Sequence, residues 1–397
     1  MKKFNKIKLK SGLTVIHEKR DIDVTTVMLG VGFGGAYEVE NEKGIAHFIE
    51  HLCFKGTEKR TAKQIAGDVE KVGGILNAFT SEQTTAYHVK LPSDYLELAM
   101  DVLFDIYFNP VFPEQDVKKE SNVICEEIRM YKDNPRMHAV DKIKSSLYEK
   151  PFGMSIAGVE KNIRKMTRDV LIKKHRETYV PENSVLVVVG NNKWEDVVNY
   201  AEKFCVDRKG KKPVLPKIKL KNKKEREVRR DLHQANVVIG FHFPSMFSRE
   251  RYVGDVFSTI LGSGMSSKLF TEVREKRGLA YAVKTVIDNE KDYGYLMIYI
   301  GTDKEKIDEV IKICVKEFKK MGGLDEEEVE EGKRQIIGNH DVESEASDAV
   351  ALNLIFEEIS GSVEDFYDYE KNIKKVSLND IKKLAKKTNY SYFVLSS

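Results

Sequence analysis

The sequence predicts an α+β protein of two structurally similar domains, each a mainly antiparallel sheet covered by helices. Three observations predict it. The chain has 397 residues, which suits two domains of about 200 residues better than one. The composition shifts after Asp207: basic residues crowd between Arg208 and Arg230, with Pro213 and Pro216 among them and few core candidates. The residues beyond that stretch repeat the order of elements that precede it. The expected division is residues 1–207, a connector at 208–221, and residues 222–397.

In the first half, residues 4–9 and 13–17 read as a strand pair turned at Ser11-Gly12, and 25–31 as a third strand. Gly32-Phe33-Gly34-Gly35 follows. It lacks the spacing of a phosphate-binding loop and reads as backbone crowding beside the next helix. In that helix Ile45, Phe48, Ile49 and Leu52 recur at helical spacing, and Gly56 suits the stop. Residues 62–72 form a short amphipathic helix with Thr61 as N-cap. Residues 75–81 and 84–91 are extended, 92–107 helical, and a long helix from Pro113 reaches Met130 or Tyr131 before Asn134-Pro135 ends it. Helices at 137–150 and 167–177, an apolar strand at 183–190 and a helix at 194–204 complete the half.

The second half gives a strand at 217–221 inside the connector, a strand at 236–243, helices at 251–261 and 267–277, a strand pair at 280–287 and 295–301, and helices at 303–319 and 326–343. The endings match most visibly: the stretch from Thr167 and then Ser184 to Val189 parallels the stretch from Ser377 and then Tyr390 to Leu395.

Net charge is +3 from 66 basic and 63 acidic residues, so no basic excess points to nucleic acid. Cys53, Cys125, Cys205 and Cys314 are scattered without ligand spacing and read as buried free thiols of a reducing compartment. The first ten residues hold no apolar signal core, and no apolar run nears the length of a membrane helix, so the expected location is cytoplasmic.

The chemistry-bearing stretch is the helix around His47 and His51. These stand at i and i+4, so both imidazoles leave one face, and Glu50 precedes the second by one residue. This H-x-x-E-H order is the inverted zinc-peptidase arrangement: two ring nitrogens for a metal and a carboxylate to take a proton. A third ligand must come from elsewhere. The long helix offers Glu120 and Glu127, seven residues apart on one face, with Glu126 to the side. The second half has no such motif. Its counterpart region is read as Thr271 to Arg277, so one domain holds metal and the other does something else.

Taken together, these motifs resemble those of the pitrilysin/insulinase superfamily of inverted-motif zinc metallopeptidases, above all its short members of the processing-peptidase β type. The resemblance covers essentially the whole chain. Gly44-x-x-His47-x-x-Glu50-His51, followed by Phe54-Lys55-Gly56-Thr57, resembles the family's metal helix. The family's third ligand lies about as far beyond the second histidine as the 76 residues from His51 to Glu127, which selects Glu127, and its outer glutamate falls on Glu120. Leu76-Asn77-Ala78-Phe79-Thr80 resembles the family's edge strand for an extended peptide, and Arg274 with Tyr281 resembles its Arg/Tyr substrate clamp. The resemblance implies one Zn²⁺ per chain on His47, His51 and Glu127, with Glu50 assisting attack by a metal-bound water. It implies a zinc-dependent endopeptidase acting on extended oligopeptides or small unfolded polypeptides, a homodimer, and neither nucleic-acid nor membrane partners. The alternatives are a dedicated leader or precursor processing peptidase and a non-catalytic partner subunit; the intact His47, Glu50, His51 and Glu127 speak against the last.

Overall fold

Two mixed sheets organise the chain in a computed structural model that describes residues 4–397. The first sheet comprises β1 (Asn5–Lys8), β2 (Thr14–Lys19), β3 (Val24–Val31), β4 (Ile75–Thr80), β5 (Thr85–Pro92) and β6 (Ser184–Gly190), in the spatial order β1-β2-β6-β3-β5-β4. The second comprises β7 (Lys224–Val228), β8 (Ala235–His242), β9 (Ala280–Glu290), β10 (Tyr293–Thr302) and β11 (Tyr390–Ser396), in the order β7-β11-β8-β10-β9. The repeat seen in the sequence is a repeat of topology. β2-β6-β3-β5-β4 matches β7-β11-β8-β10-β9 strand for strand, with the first pair parallel and the others antiparallel in both sheets. β1 is extra.

The helices are α1 (Ile45–Cys53), α2 (Ala62–Glu70), α3 (Leu96–Phe108), α4 (Glu114–Asp133), α5 (Pro135–Leu147), α6 (Arg168–Thr178), α7 (Trp194–Phe204), α8 (Arg251–Gly262), α9 (Ile307–Lys320), α10 (Glu326–Glu343), α11 (Ser347–Ser360) and α12 (Leu378–Leu384), with shorter helical turns between them. Thr61 caps α2 as expected, in a reciprocal capping box with Gln64. Asn134 does more than end α4: its side chain accepts the amides of Arg136 and Met137, and Pro135 opens α5. Two expectations differ. Residues 217–221 form no strand, because apart from an isolated bridge between Leu220 and Tyr148 they have no sheet partner; the strand begins at Lys224, where β11 offers a parallel edge. The expected α-helix at 267–277 is π-helical over Phe270–Glu275: the Lys276 amide reaches back five residues to the Thr271 carbonyl, and the Arg277 guanidinium takes the Glu272 carbonyl.

The chain divides into two compact units, and they depart from contiguous halves. The first holds residues 1–128, 155–216 and 343–367; the second holds 129–154, 217–342 and 368–397. Each unit therefore contains a helix from the opposite half of the sequence. In the first unit, α11 lies on β3 and β6; in the second, α5 lies on β8 and β11, the corresponding strands. The reason is apolar surface on both faces of each sheet. One face of the first sheet belongs to the main core with α1 and α3. The other presents Ile16, Met28, Val185, Val187 and Val189, which Val350, Ala351, Leu354 and Ile355 of α11 cover. A matching pair of glycines admits the exchanged helices: a Cβ on Gly30 of β3 would lie 3.0 Å from Ile355 Cδ1, and one on Gly240 of β8 would lie 2.7 Å from Leu147 Cδ1. Among the described residues no helix is long and apolar enough to cross a membrane.

Candidate metal centre

The first unit holds the candidate site, on α1, α4 and the end of β4. Helix α1 buries Ile45, Phe48, Ile49 and Leu52 completely, which turns His47, Glu50 and His51 to the opposite, partly open face. Its start is fixed from upstream. The Glu38 carboxylate accepts the amides of Gly44 at 3.0 Å and Ala46 at 2.8 Å, satisfying donors that the first turn cannot. The Lys43 ammonium, 3.5 Å from Glu38, donates to the Gly35 carbonyl at 2.6 Å, and both side chains of the pair are fully buried. Burial pushes the Glu38 carboxyl up, while Lys43 and the two amides oppose it.

Helix α4 brings the carboxylates. Glu127 Oε2 lies 3.6 Å from His47 Nε2 and 3.5 Å from His51 Nε2, and the donor atoms of these three residues all fall within 4.8 Å of one another. The imidazole rings are 4.7 Å apart and nearly perpendicular, so the nitrogens converge without stacking. Two turns earlier on α4, Glu120 Oε2 lies 3.2 Å from His51 Nδ1, and its other oxygen takes the Lys55 ammonium at 2.7 Å. Glu120 thus occupies one nitrogen of His51 and leaves the other for Glu127 or a metal. His47 Nδ1 is buried without a hydrogen-bond partner.

The electrostatics suit a cation at this place. Burial, then the neighbouring His51, lowers His47 to about 4 against the pull of Glu127, so its imidazole is neutral and ready to ligate. Burial would also lower His51, but hydrogen bonds to Glu120 and Glu127 outweigh it and raise the ring to about 9. A proton on His51 therefore stands where the donor set calls for positive charge. Burial would raise Glu120, but His51 and Lys55 hold it below the usual carboxylate range. Glu50 is pushed up by burial, opposed by a hydrogen bond from Thr80. Two imidazoles and a carboxylate with a partly exposed side match a zinc site that keeps a position open.

The other residues singled out in the sequence are placed as follows. Strand β4, which carries Leu76, Asn77, Ala78, Phe79 and Thr80, is the outer strand of its sheet. Leu76 and Ala78 pack on the side of the main core. Asn77 Oδ1 accepts the Ala78 amide at 2.9 Å, Phe79 meets Phe356 on the opposite face, and the Thr80 hydroxyl donates to Glu50 Oε2. Arg274 and Tyr281 lie in the second unit. The Arg274 guanidinium covers the Phe270 ring at 4.8 Å. Tyr281 is 52% exposed and is the extra residue of a β-bulge: Gly301 pairs with Ala282 and Thr302 with Ala280, and the bulge turns the Tyr281 ring across Gly301.

Three further residues shape the site: Lys55, Glu38 and Lys43. Lys55 stands inside the motif-bearing stretch, which was its signal; Glu38 and Lys43 carried none, because a buried ion pair looks like surface charge in a sequence. The counterpart of the metal helix differs from the expected residues 271–277. By its place in the topology it is α8, and those residues occupy the position of α2. There Val256 and Ile260 stand at i and i+4, and Gly332 of α10 lies against both, where α4 sets Glu120 against His51. Aliphatic packing replaces the polar cluster, so the second unit offers no donors at that place.

Two family profiles match the chain, and His47, Glu50, His51 and Glu127 all fall within the first of them. A profile of the insulinase family, peptidase family M16, matches residues 13–160, and one described as the peptidase M16 inactive domain matches residues 165–336. An uncharacterized zinc protease of Rickettsia bellii is 35% identical over 341 residues, covering 85% of this chain and 82% of its own. The uncharacterized zinc protease YmxG of Bacillus subtilis is 33% identical over 341 residues, covering 83% and 81%. Among solved structures, a protease from Helicobacter pylori superposes with a TM-score of 0.90 at 23% identity, over 100% of this chain and 99% of its own. A structure titled peptidase M16 inactive domain, from Pseudomonas fluorescens, gives 0.89 at 19% identity over 99% and 97%. At these identities the structures speak for the fold alone.

Proposed function

Because the chain belongs to the insulinase family, peptidase family M16, we propose that it is a zinc metalloendopeptidase acting on extended oligopeptides or small unfolded polypeptides. The observation that carries the reading is the convergence of His47, His51 and Glu127 with Glu50 alongside on the same helix.

In this reading the Nε2 atoms of His47 and His51 and the Glu127 carboxylate would hold one zinc ion per chain, and Glu120 keeps the His51 ring in the ligating orientation. Bound zinc would polarise the scissile carbonyl and bring the pKa of a coordinated water towards about 7. Glu50 takes the proton of the attacking water and returns it to the leaving amine. Its half-buried carboxyl, raised by its surroundings, suits both directions of that transfer. The free edge of β4 binds substrate through main-chain hydrogen bonds, which give affinity with little demand on side chains. Arg274 and Tyr281 hold substrate backbone carbonyls. The working assembly is a homodimer. The rival reading as a non-catalytic subunit is disfavoured by the complete donor set, since the match described as inactive domain begins at residue 165, beyond His47, Glu50, His51 and Glu127.

The test is zinc analysis joined to digestion of a peptide mixture read by mass spectrometry. Glu50→Gln should keep zinc and lose cleavage by about 10²–10⁴-fold. Unchanged turnover sinks the assignment of the base, and a wild-type chain that binds zinc but cuts nothing sinks the peptidase reading. His51→Ala should lose stoichiometric zinc.

A further inference from the structure

Thr80 closes the strand read as the substrate edge, and its hydroxyl is committed to Glu50 Oε2. A glutamate side chain has three rotatable bonds, and this donor pins one of its two oxygens while leaving the other for a reacting proton. The donor is itself firmly set. Thr80 is the last residue of β4, and the turn after it is closed by the Ser81 amide on the Thr84 carbonyl at 2.7 Å and by the Thr84 amide on Ser81 Oγ at 3.1 Å.

The glycine run at 32–35 explains how this turn is held. The Gly35 amide donates to the Ser81 carbonyl at 3.0 Å and the Ala36 amide to the Glu82 carbonyl at 2.6 Å. The approach is so close that a Cβ on Gly34 would lie 2.4 Å from Ser81 O and 2.8 Å from Glu82 O. The same segment then reaches α1: the Gly35 carbonyl takes the Lys43 ammonium, and Glu38 caps the first amides of the helix. One short piece of backbone therefore fixes both the strand end that carries Thr80 and the helix that carries Glu50.

We infer that Thr80 is a positioning residue, whose hydroxyl, set by the 34–38 segment, holds the Glu50 carboxylate in its working orientation. The inference rests on the reading of Glu50 as the base. It assigns the hydroxyl to turnover rather than to substrate affinity or metal binding, and it separates Thr80 in role from Leu76 to Phe79 on the same strand.

The experiment uses the full zinc-loaded chain and a quenched extended peptide, with kcat, KM, bound zinc and melting temperature measured for Thr80→Val, Thr80→Ala and Thr80→Ser. Valine keeps the branched shape without the hydroxyl, serine keeps the hydroxyl without the methyl, and alanine covers the case in which the second methyl of valine is not accommodated. The expected result is a kcat about 10- to 100-fold lower in the valine and alanine variants, with KM within twofold and zinc unchanged, and serine within threefold of wild type. Full kcat in the valine variant overturns the inference. So does a rise in KM alone, which would return Thr80 to substrate contact, and so does a serine variant as impaired as valine. These outcomes presuppose an active wild type that Glu50→Gln silences. Wild-type inactivity, or an active Glu50→Gln variant, sinks the underlying reading and this inference with it.

Discussion

The Glu120 carboxylate lies 3.2 Å from His51 Nδ1, while His51 Nε2 lies 3.5 Å from Glu127, so two carboxylates of one helix grip a single imidazole from both sides. Removing the outer grip should loosen the inner one. Glu120→Ala is expected to weaken zinc binding by about 10- to 100-fold with the ligands intact. Competition against a chelator of known affinity measures this, and an unchanged dissociation constant would remove Glu120 from the site.

Burial reports itself in the pH dependence of stability. His175 on α6 lies 2.8 Å from the Tyr107 carbonyl through Nε2, and burial holds the ring at about 3. Its folded pKa is depressed below the unfolded value, so the unfolded chain binds the proton more readily. The neutral ring favours folding fully above about 6.5, and that contribution is lost as pH falls from there towards 3. Relative to His175→Gln, which does not titrate, wild type should lose roughly 2 kcal/mol between pH 7 and pH 5. Urea midpoints of both proteins at the two pH values test it; parallel curves would refute it.

Asp255 on α8 has the opposite sign. Burial raises its carboxyl to about 6 despite the Tyr369 hydroxyl, 3.1 Å away, and the charge of Arg251. A raised carboxyl binds its proton more tightly in the folded state, so its contribution is present at low pH and lost as pH rises through 6. Asp255→Asn still accepts the Tyr369 hydroxyl and removes the enclosed charge. It should stabilise the protein by about 3 kcal/mol at pH 7.5 and by less than about 1 kcal/mol at pH 4. A uniform effect at both pH values would show that charge is not the cause.

The paired glycines predict an order of effects. A methyl on Gly240 would fall 2.7 Å from Leu147 Cδ1 and 2.9 Å from Ile143 Cγ1, whereas one on Gly30 would meet Ile355 Cδ1 at 3.0 Å. Gly240→Ala should cost about 1–3 kcal/mol and Gly30→Ala less, since the contacts at Gly30, Ile355 Cδ1 at 3.0 Å and Cγ2 at 3.2 Å, are the looser ones. Denaturant melts of the two variants rank them, and the reverse order would count against close helix packing as the reason for glycine.

What the sequence made legible was local. His47, Glu50 and His51 lie within one helical turn, and a 3.6-residue period is enough to put them on one face. Glu120 and Glu127 share a face by the same rule, but choosing between them took the family resemblance as well as the period. Two similar sheets were expected from element order, and the matched strand order bears that out. What stayed hidden depends on partners distant in sequence. β7 exists where β11 lies beside it, not where residues 217–221 alternate. Glu38 and Lys43 read as surface charge until their surroundings are known. The exchange of α5 and α11 leaves no mark in either helix, because an apolar face does not name the sheet that it covers.

That exchange sets the order in which the protein can be completed as it is made. When synthesis reaches the connector, α5 has emerged but its strands β8 and β11 have not. The first sheet is then formed on one side only, with Ile16, Met28 and Val187 bare until the ribosome has released Ser360 at the end of α11. Neither sheet can be sealed before most of the other has appeared. The nascent first unit therefore carries an open apolar face through the translation of nearly half the chain, a window in which a holding chaperone has a defined surface to cover.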